Sequence, residues 1–257
     1  MPRYCYILAE GPQDIEFLIC LLKSYGLRRV RLLPDLDPFW TPLIPTTFPI
    51  DNDLMKRVPI PAFLQDTELS IALHSAIGIN RLAQTLEESL ALIPVSQLFG
   101  IGLFLDADDM QLPQLRFDTL ISQLSALLNV ALPSKPGEIT EGIPYFGVFI
   151  TPNNNDSGTL EDILLACARL NYPNLFNLSQ NYVSSIDISQ LTQTDLRELR
   201  KPAGRNKAIV SSISSILKPG KTLQVSIQDN RWIDEQTMGL NDIQVVKVFL
   251  EKIIGIV

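Results

Sequence analysis

The sequence predicts an α/β fold, a mainly parallel sheet flanked by helices, and three observations carry that prediction. Short apolar runs at residues 4–8, 100–105 and 145–150 have strand length, and continuous apolar character marks strands buried on both faces. Each run is followed by apolar residues at helical spacing: Ile15, Leu18, Ile19 and Leu22; Phe117, Leu120, Ile121, Leu124 and Leu128; Leu160, Ile163, Leu164 and Cys167. Acids gather at each strand-to-helix junction, and a parallel sheet brings such junctions to one edge.

In chain order, residues 4–8 (YCYIL) read as a first strand and AEGPQD as the turn into a helix that stops near Gly26. RVRLL, 29–33, reads as a second strand, giving a β-α-β start. Residues 34–61 hold seven prolines (34, 38, 42, 45, 49, 59 and 61) and no sustained period, which predicts an irregular segment docked on the core through Phe39, Trp40 and Phe48. Ile79, Leu82, Ala83, Leu86 and Leu90 define an amphipathic helix over 77–93. The run from Gly100 to Met110, GIGLFLDADDM, is the buried strand ending in Asp106, Asp108 and Asp109. After YFGVFI at 145–150, Thr159 is the expected N-cap of a helix, with Asp162 three residues on as its capping-box partner. Helices are expected over 191–200 and 207–217, a short strand over 223–227 (LQVSI), and a last helix capped by Asn241 and carrying Val246, Leu250 and Ile253. The whole, 1–257, reads as one α/β domain with an insertion at 34–95 and a C-terminal helical elaboration at 171–257.

The 257 residues carry a net charge of −7, which argues against sequence-independent nucleic-acid binding over the whole surface. The basic groups Arg28, Arg29 and Arg31, and Arg197, Arg200, Lys201, Arg205 and Lys207, are the candidates for a phosphate-tracking surface. Three cysteines, Cys5, Cys20 and Cys167, are far apart and form no CxxC, so buried thiols in a reducing cytoplasm are expected. Glu10, Asp14 and Glu16 interrupt the first apolar run, so neither a signal-peptide core nor a membrane span is expected. The single histidine, His74, excludes a multi-histidine metal site within the chain and reads as a surface or helix-packing residue.

The acid run poses an electrostatic problem. Two unpaired carboxylates about 4 Å apart repel by roughly 4 kcal/mol at an effective dielectric near 20. Such a cluster needs water, a proton, basic partners or a divalent cation. Glu10 with Asp14, Asp106 with Asp108 and Asp109, and Glu161 with Asp162 all fall at strand-to-helix junctions. Oxygen ligands from one or two carboxylates, with several waters kept, are what Mg²⁺ prefers. The plainer readings are helix capping for Asp109, Glu161 and Asp162, and a solvated surface for Lys207.

AEGPQD is similar to the EGxxD opening of Toprim domains, and FLDADD to their DxD motif after a hydrophobic strand. GTLED, with Lys207 on a later helix, resembles the branch of overcoming-lysogenization-defect nucleases and bacterial Toprim-like proteins of similar length. The resemblance covers about 1–33 and 100–170. It implies a Toprim-like, Rossmann-like sheet and Mg²⁺, with Mn²⁺ as substitute. It further implies Glu10 as general acid/base or metal-linked carboxylate, Asp106 and Asp108 as metal ligands, Asp14 assisting, Glu161 serving a second metal, and Lys207 offsetting phosphate charge. The expected activity is phosphoryl transfer, hydrolysis of phosphodiesters in DNA or RNA. With no motif here for a tyrosine-nucleophile domain or for primase accessory domains, neither strand passage nor primer synthesis is expected. Two other readings stand beside it: a non-catalytic metal- or nucleotide-binding regulatory or interaction module, and a receiver-type aspartate phosphoacceptor. A protein partner or a second copy could supply the basic surface the chain lacks.

Overall fold

A computed structural model of the protein describes residues 2–49, 52–55, 59–107 and 112–256. Six strands form one α/β sheet in the order β2-β3-β4-β1-β5-β6, with β1 Arg3–Ala9, β2 Arg28–Arg29, β3 Ala62–Gln65, β4 Leu69–Ser75, β5 Leu98–Asp106 and β6 Tyr145–Thr151. The central strand β1 runs parallel to both neighbours, with Tyr6 opposite Ala72 on β4 and Ile101 on β5. The edge is antiparallel: β3 pairs with both β2 and β4. From Cys5 to Ala9, and along the whole of β4, every residue is buried, as expected of strands covered on both faces.

The chain divides into two compact units. The first comprises residues 1–105, 117–149 and 249–257, and holds most of the sheet with α1 (Pro12–Lys23) and α2 (Leu82–Leu92). Within it the C-terminal turns of the last helix, α8 (Asn241–Ile254), lie directly on β5. A Cβ on Gly100 would overlap the Ile253 carbonyl, so the glycine that opens the acidic strand's apolar run is there for close approach. Phe104, Phe149 and Phe249 cluster with ring centroids 5.3–5.4 Å apart, and the Cys5 thiol donates to the Ile253 carbonyl at 3.6 Å.

The second unit comprises 106–116 and 150–248. It contains α4 (Leu160–Asn171), α5 (Pro173–Ser185), α6 (Gly204–Leu217), α7 (Leu223–Asp229) and the first half of α8. Trp232 is fully buried there and donates its Nε1–H to Ser226 Oγ at 2.9 Å. The remaining helix, α3 (Pro113–Leu127), runs from this unit into the first.

Four expectations need correction. The strand expected over 29–33 is confined to Arg28–Arg29, and it lies at the antiparallel edge; Pro34 then turns the chain, with Leu32 and Leu33 left exposed. The 34–95 region is not wholly an insertion, because its second half supplies β3, β4 and α2, and β4 is the strand beside β1. Residues 191–200 form successive turns instead of a helix, since the Thr192 amide and hydroxyl both close onto Asp195 and Pro202 follows. Residues 223–227 are helical, not a strand: five alternating residues cannot separate the two periods, and Ser226 is turned inward to meet Trp232. Among the described residues no helix is long and apolar enough to cross a membrane.

Candidate functional site

The first acid turn is built by β1 and α1. Glu10 follows the buried end of β1, where its N–H donates to the Phe104 carbonyl and its carbonyl accepts from Gly78. Asp14 closes the turn below it, Oδ2 accepting the Gly11 N–H at 2.9 Å, and Pro12 enters the first helical turn where its missing N–H costs nothing. Asp14 thus works as the helix's cap partner. Glu16, one turn on, is fully buried and takes Arg29 Nη2 at 2.8 Å, so one of the three clustered arginines is spent on tying α1 to β2. A buried carboxylate with a guanidinium partner was not foreseeable from spacing, because the partner lies on another element.

The second acid turn belongs to the second unit. Asp106 ends β5, and its Oδ1 accepts the N–H of Leu160, the first residue of α4, at 3.0 Å. Glu161 is the next residue, and its Oε2 is buried with no hydrogen-bond partner among the described residues. Asp162 forms the expected capping box: Oδ2 accepts the Thr159 N–H at 2.8 Å, and Oδ1 accepts Asn206 Nδ2 at 2.8 Å. Asp106 and Glu161 are therefore brought to the same helical turn, with Asp162 fastening that turn to α6.

β1 and β5 are neighbours, with Ala9 opposite Phe104. The chain leaves β1 through α1 toward β2 on one side, and leaves β5 through α3 toward β6 on the other. Glu10 follows the first of these strands, and Asp106 is the last residue of the second.

Lys207 is placed elsewhere. It is exposed on α6 and borders a cavity of about 660 Å³ with Asp195, Glu198 and Lys201, whereas its neighbour Asn206 is the α6 residue that reaches the acidic turn. A rotation of about 100° per helical residue separates the two, and no sequence signal ranked Asn206 above the lysine. Asp108 and Asp109 lie outside the described residues. Among the described residues no three His, Cys, Asp or Glu side chains are grouped to hold a metal. Mg²⁺ needs fewer: one or two carboxylates with retained water suffice, and a buried carboxylate oxygen lacking a donor fits that chemistry.

His74 is not at the surface but packs against α2, with Ser89 Oγ 3.4 Å from its Nδ1. It is buried near the end of β4, with Nδ1 2.8 Å from Tyr6 Oη and Nε2 3.0 Å from the Pro59 carbonyl. Burial lowers its pKa, against the opposing pull of the Pro59 carbonyl and Glu88. No disulfide joins the three cysteines; burial pushes Cys5 and Cys167 up to about 12 and Cys20 to about 11, so none is a ready thiolate.

The model of a family described as "Protein of unknown function (DUF3226)" matches residues 5–254. None of the curated proteins matches the chain. A crystal structure of hypothetical protein PH0156 from Pyrococcus horikoshii OT3 is similar, at 17% identity and a TM-score of 0.55, covering 98% of this chain and 95% of that one. At that identity the likeness concerns the fold.

Proposed function

We propose that this chain, which belongs to the DUF3226 family, is a Mg²⁺-dependent phosphoryl-transfer protein that hydrolyses phosphodiesters in DNA or RNA. The observation that carries the reading is the Asp106–Leu160–Glu161 arrangement: one carboxylate fixed by a helix N-terminal amide and, on the next residue of that helix, another with a buried oxygen that has no donor among the described residues. Asp106 and Glu161 would hold the ion, with Asp108 of the DxD motif. Mg²⁺, when bound, supplies positive charge to phosphoryl oxygens and acidifies a bound water.

The chain's own groups do the rest. The Leu160 N–H orients the Asp106 carboxylate by donating to its Oδ1 at 3.0 Å. Asp162 keeps the first turn of α4 wound, so that Glu161 and the Leu160 amide stay in place. By the EGxxD resemblance Glu10 would serve as general acid/base, a role worth about 10²–10⁴ in rate. With a net charge of −7 and Arg29 committed to Glu16, a second copy or a partner protein supplies further basic surface. Three cysteines without a disulfide, two of them buried, agree with a reducing cytoplasm.

The test is cleavage of single- and double-stranded DNA and RNA in millimolar Mg²⁺ or Mn²⁺. Asp106→Asn and Glu10→Gln each abolish cleavage and leave the melting temperature within a few degrees of wild type. If the wild type cleaves none of these but is stabilised by metal, the net acidity favours the second reading, a regulatory module that binds a cation or nucleotide without turnover. If metal neither binds nor supports cleavage, the phosphoryl-transfer reading falls, and with it the cation-binding form of the second.

A further inference from the structure

A cavity of about 560 Å³ opens in the first unit beside the Glu10 turn, at the carboxyl end of β4. Its size lies within the usual range for small-ligand sites. One wall is the Pro-rich segment, through Leu43, Ile44 and Pro45; the opposite wall is α2, through Thr85, Glu88 and Leu92. His74 and Ser75 form the floor.

The frame around it is built and fixed. Trp40, fully buried, anchors the Pro-rich segment by donating Nε1–H to Ser70 Oγ at 2.9 Å. The Tyr6 hydroxyl is 2.8 Å from both His74 Nδ1 and Ser89 Oγ, and His74 Nε2 meets the Pro59 carbonyl, so three buried polar groups lock strand, helix and segment together. At the mouth, Ile77 holds φ of 52°, a left-handed conformation that a β-branched residue rarely adopts, and it is 53% exposed. The next residue, Gly78, donates to the Glu10 carbonyl at 2.9 Å. Non-glycine residues held in such conformations concentrate at ligand sites.

The charges lining the cavity are complementary to one kind of molecule. Arg81 is exposed at its edge and has no ion-pair partner among the described residues. Glu88 is engaged by Gln84 Nε2 at 2.8 Å and keeps acceptor capacity for a donor. Thr46, Thr47 and Ser75 add neutral hydroxyls, and Pro45, Ile77 and Leu92 offer apolar surface. A plain acyl anion would leave Glu88 and the hydroxyls unmatched.

From this set we infer that the cavity binds a nucleoside monophosphate: the phosphate on Arg81, ribose or base N–H and O–H groups on Glu88 and the hydroxyls, and the base against the proline and aliphatic wall. The same chemistry is offered by a free mononucleotide and by the 5′-phosphorylated end of a strand. The site is defined without the acidic turn, so it is tested with metal chelated.

Isothermal titration in EDTA with AMP, GMP, CMP and UMP should give binding by at least one. Arg81→Gln should weaken it about tenfold or more, while leaving the corresponding nucleoside unaffected. Thr46→Trp, which fills the mouth from an exposed position, should remove both. Tighter binding of a 5′-phosphorylated trinucleotide than of its 5′-hydroxyl form assigns a strand end as ligand; equal or weaker binding than the mononucleotide assigns the free nucleotide. Absence of binding by all four, or binding untouched by both variants, overturns the inference whatever the metal experiments show.

Discussion

Replacing Asp162 by alanine is the sharpest structural perturbation of the acidic turn. The substitution deletes an acceptor for the Thr159 N–H at 2.8 Å, a longer contact with the Thr159 hydroxyl at 3.3 Å, and an acceptor for Asn206 at 2.8 Å. Thr159 is fully buried, so its N–H has no water to turn to. Loss of a capping interaction costs about 1 kcal/mol, and a hydrogen bond to a charged group about 1.5–3 kcal/mol. Discounted for the partial exposure of Asp162 and for overlap between the two terms, the expected loss is about 2–3 kcal/mol. For a chain of this size that corresponds to a melting temperature lower by roughly 4–12 °C. Asp162→Asn, which keeps one accepting oxygen, should lose about half as much. Urea unfolding of the three proteins side by side measures it. A cost for Asp162→Ala within about 0.5 kcal/mol of zero, the level of an ordinary surface change, would refute the claim that this residue fastens α4 to α6.

Gly100→Ala should destabilise by about 1–3 kcal/mol or prevent folding, because a Cβ overlaps the Ile253 backbone, whereas Gly102→Ala, with its nearest side-chain atom at 3.5 Å, should cost far less; thermal melts compare them. His74 predicts a pH dependence. Its folded pKa lies below its unfolded value near 6.5, so above that pH neither state is protonated and His74 contributes no slope. As pH falls through 6.5 the unfolded chain takes up a proton that the folded one refuses, and stability declines until the folded pKa is reached. The urea midpoint should therefore fall between pH 7.5 and 5.5, and His74→Gln should flatten that fall.

Local signals were legible in the sequence. The apolar run and helical spacing located β1 and α1, and Thr159 with Asp162 located the start of α4 to the residue. The sheet's other half was not, and the reason is long-range chemistry. β4, Leu69–Ser75, contains Ser70 and His74, polar residues that argue against a fully buried strand until Trp40 and Tyr6 supply their partners from elsewhere in the chain. The edge strand β2 is defined by its pairing with β3 and not by its own composition. In the candidate site, Asp106 was legible because it ends a strand abruptly. The donorless oxygen of Glu161 was not, since burial depends on what packs over the helix turn. Lys207 stood out by its charge; Asn206, which helix phase turns to Asp162, carries no charge to mark it.

The most direct test of the account is Mn²⁺ binding followed by titration calorimetry, on wild type, Asp106→Asn, Glu161→Gln and Glu10→Gln. The account predicts binding at micromolar to millimolar metal, with Asp106→Asn and Glu161→Gln each weakening it about tenfold or more while the melting temperature without metal holds steady. Wild-type binding that none of the three substitutions alters, or no binding at all at millimolar Mn²⁺, would contradict it.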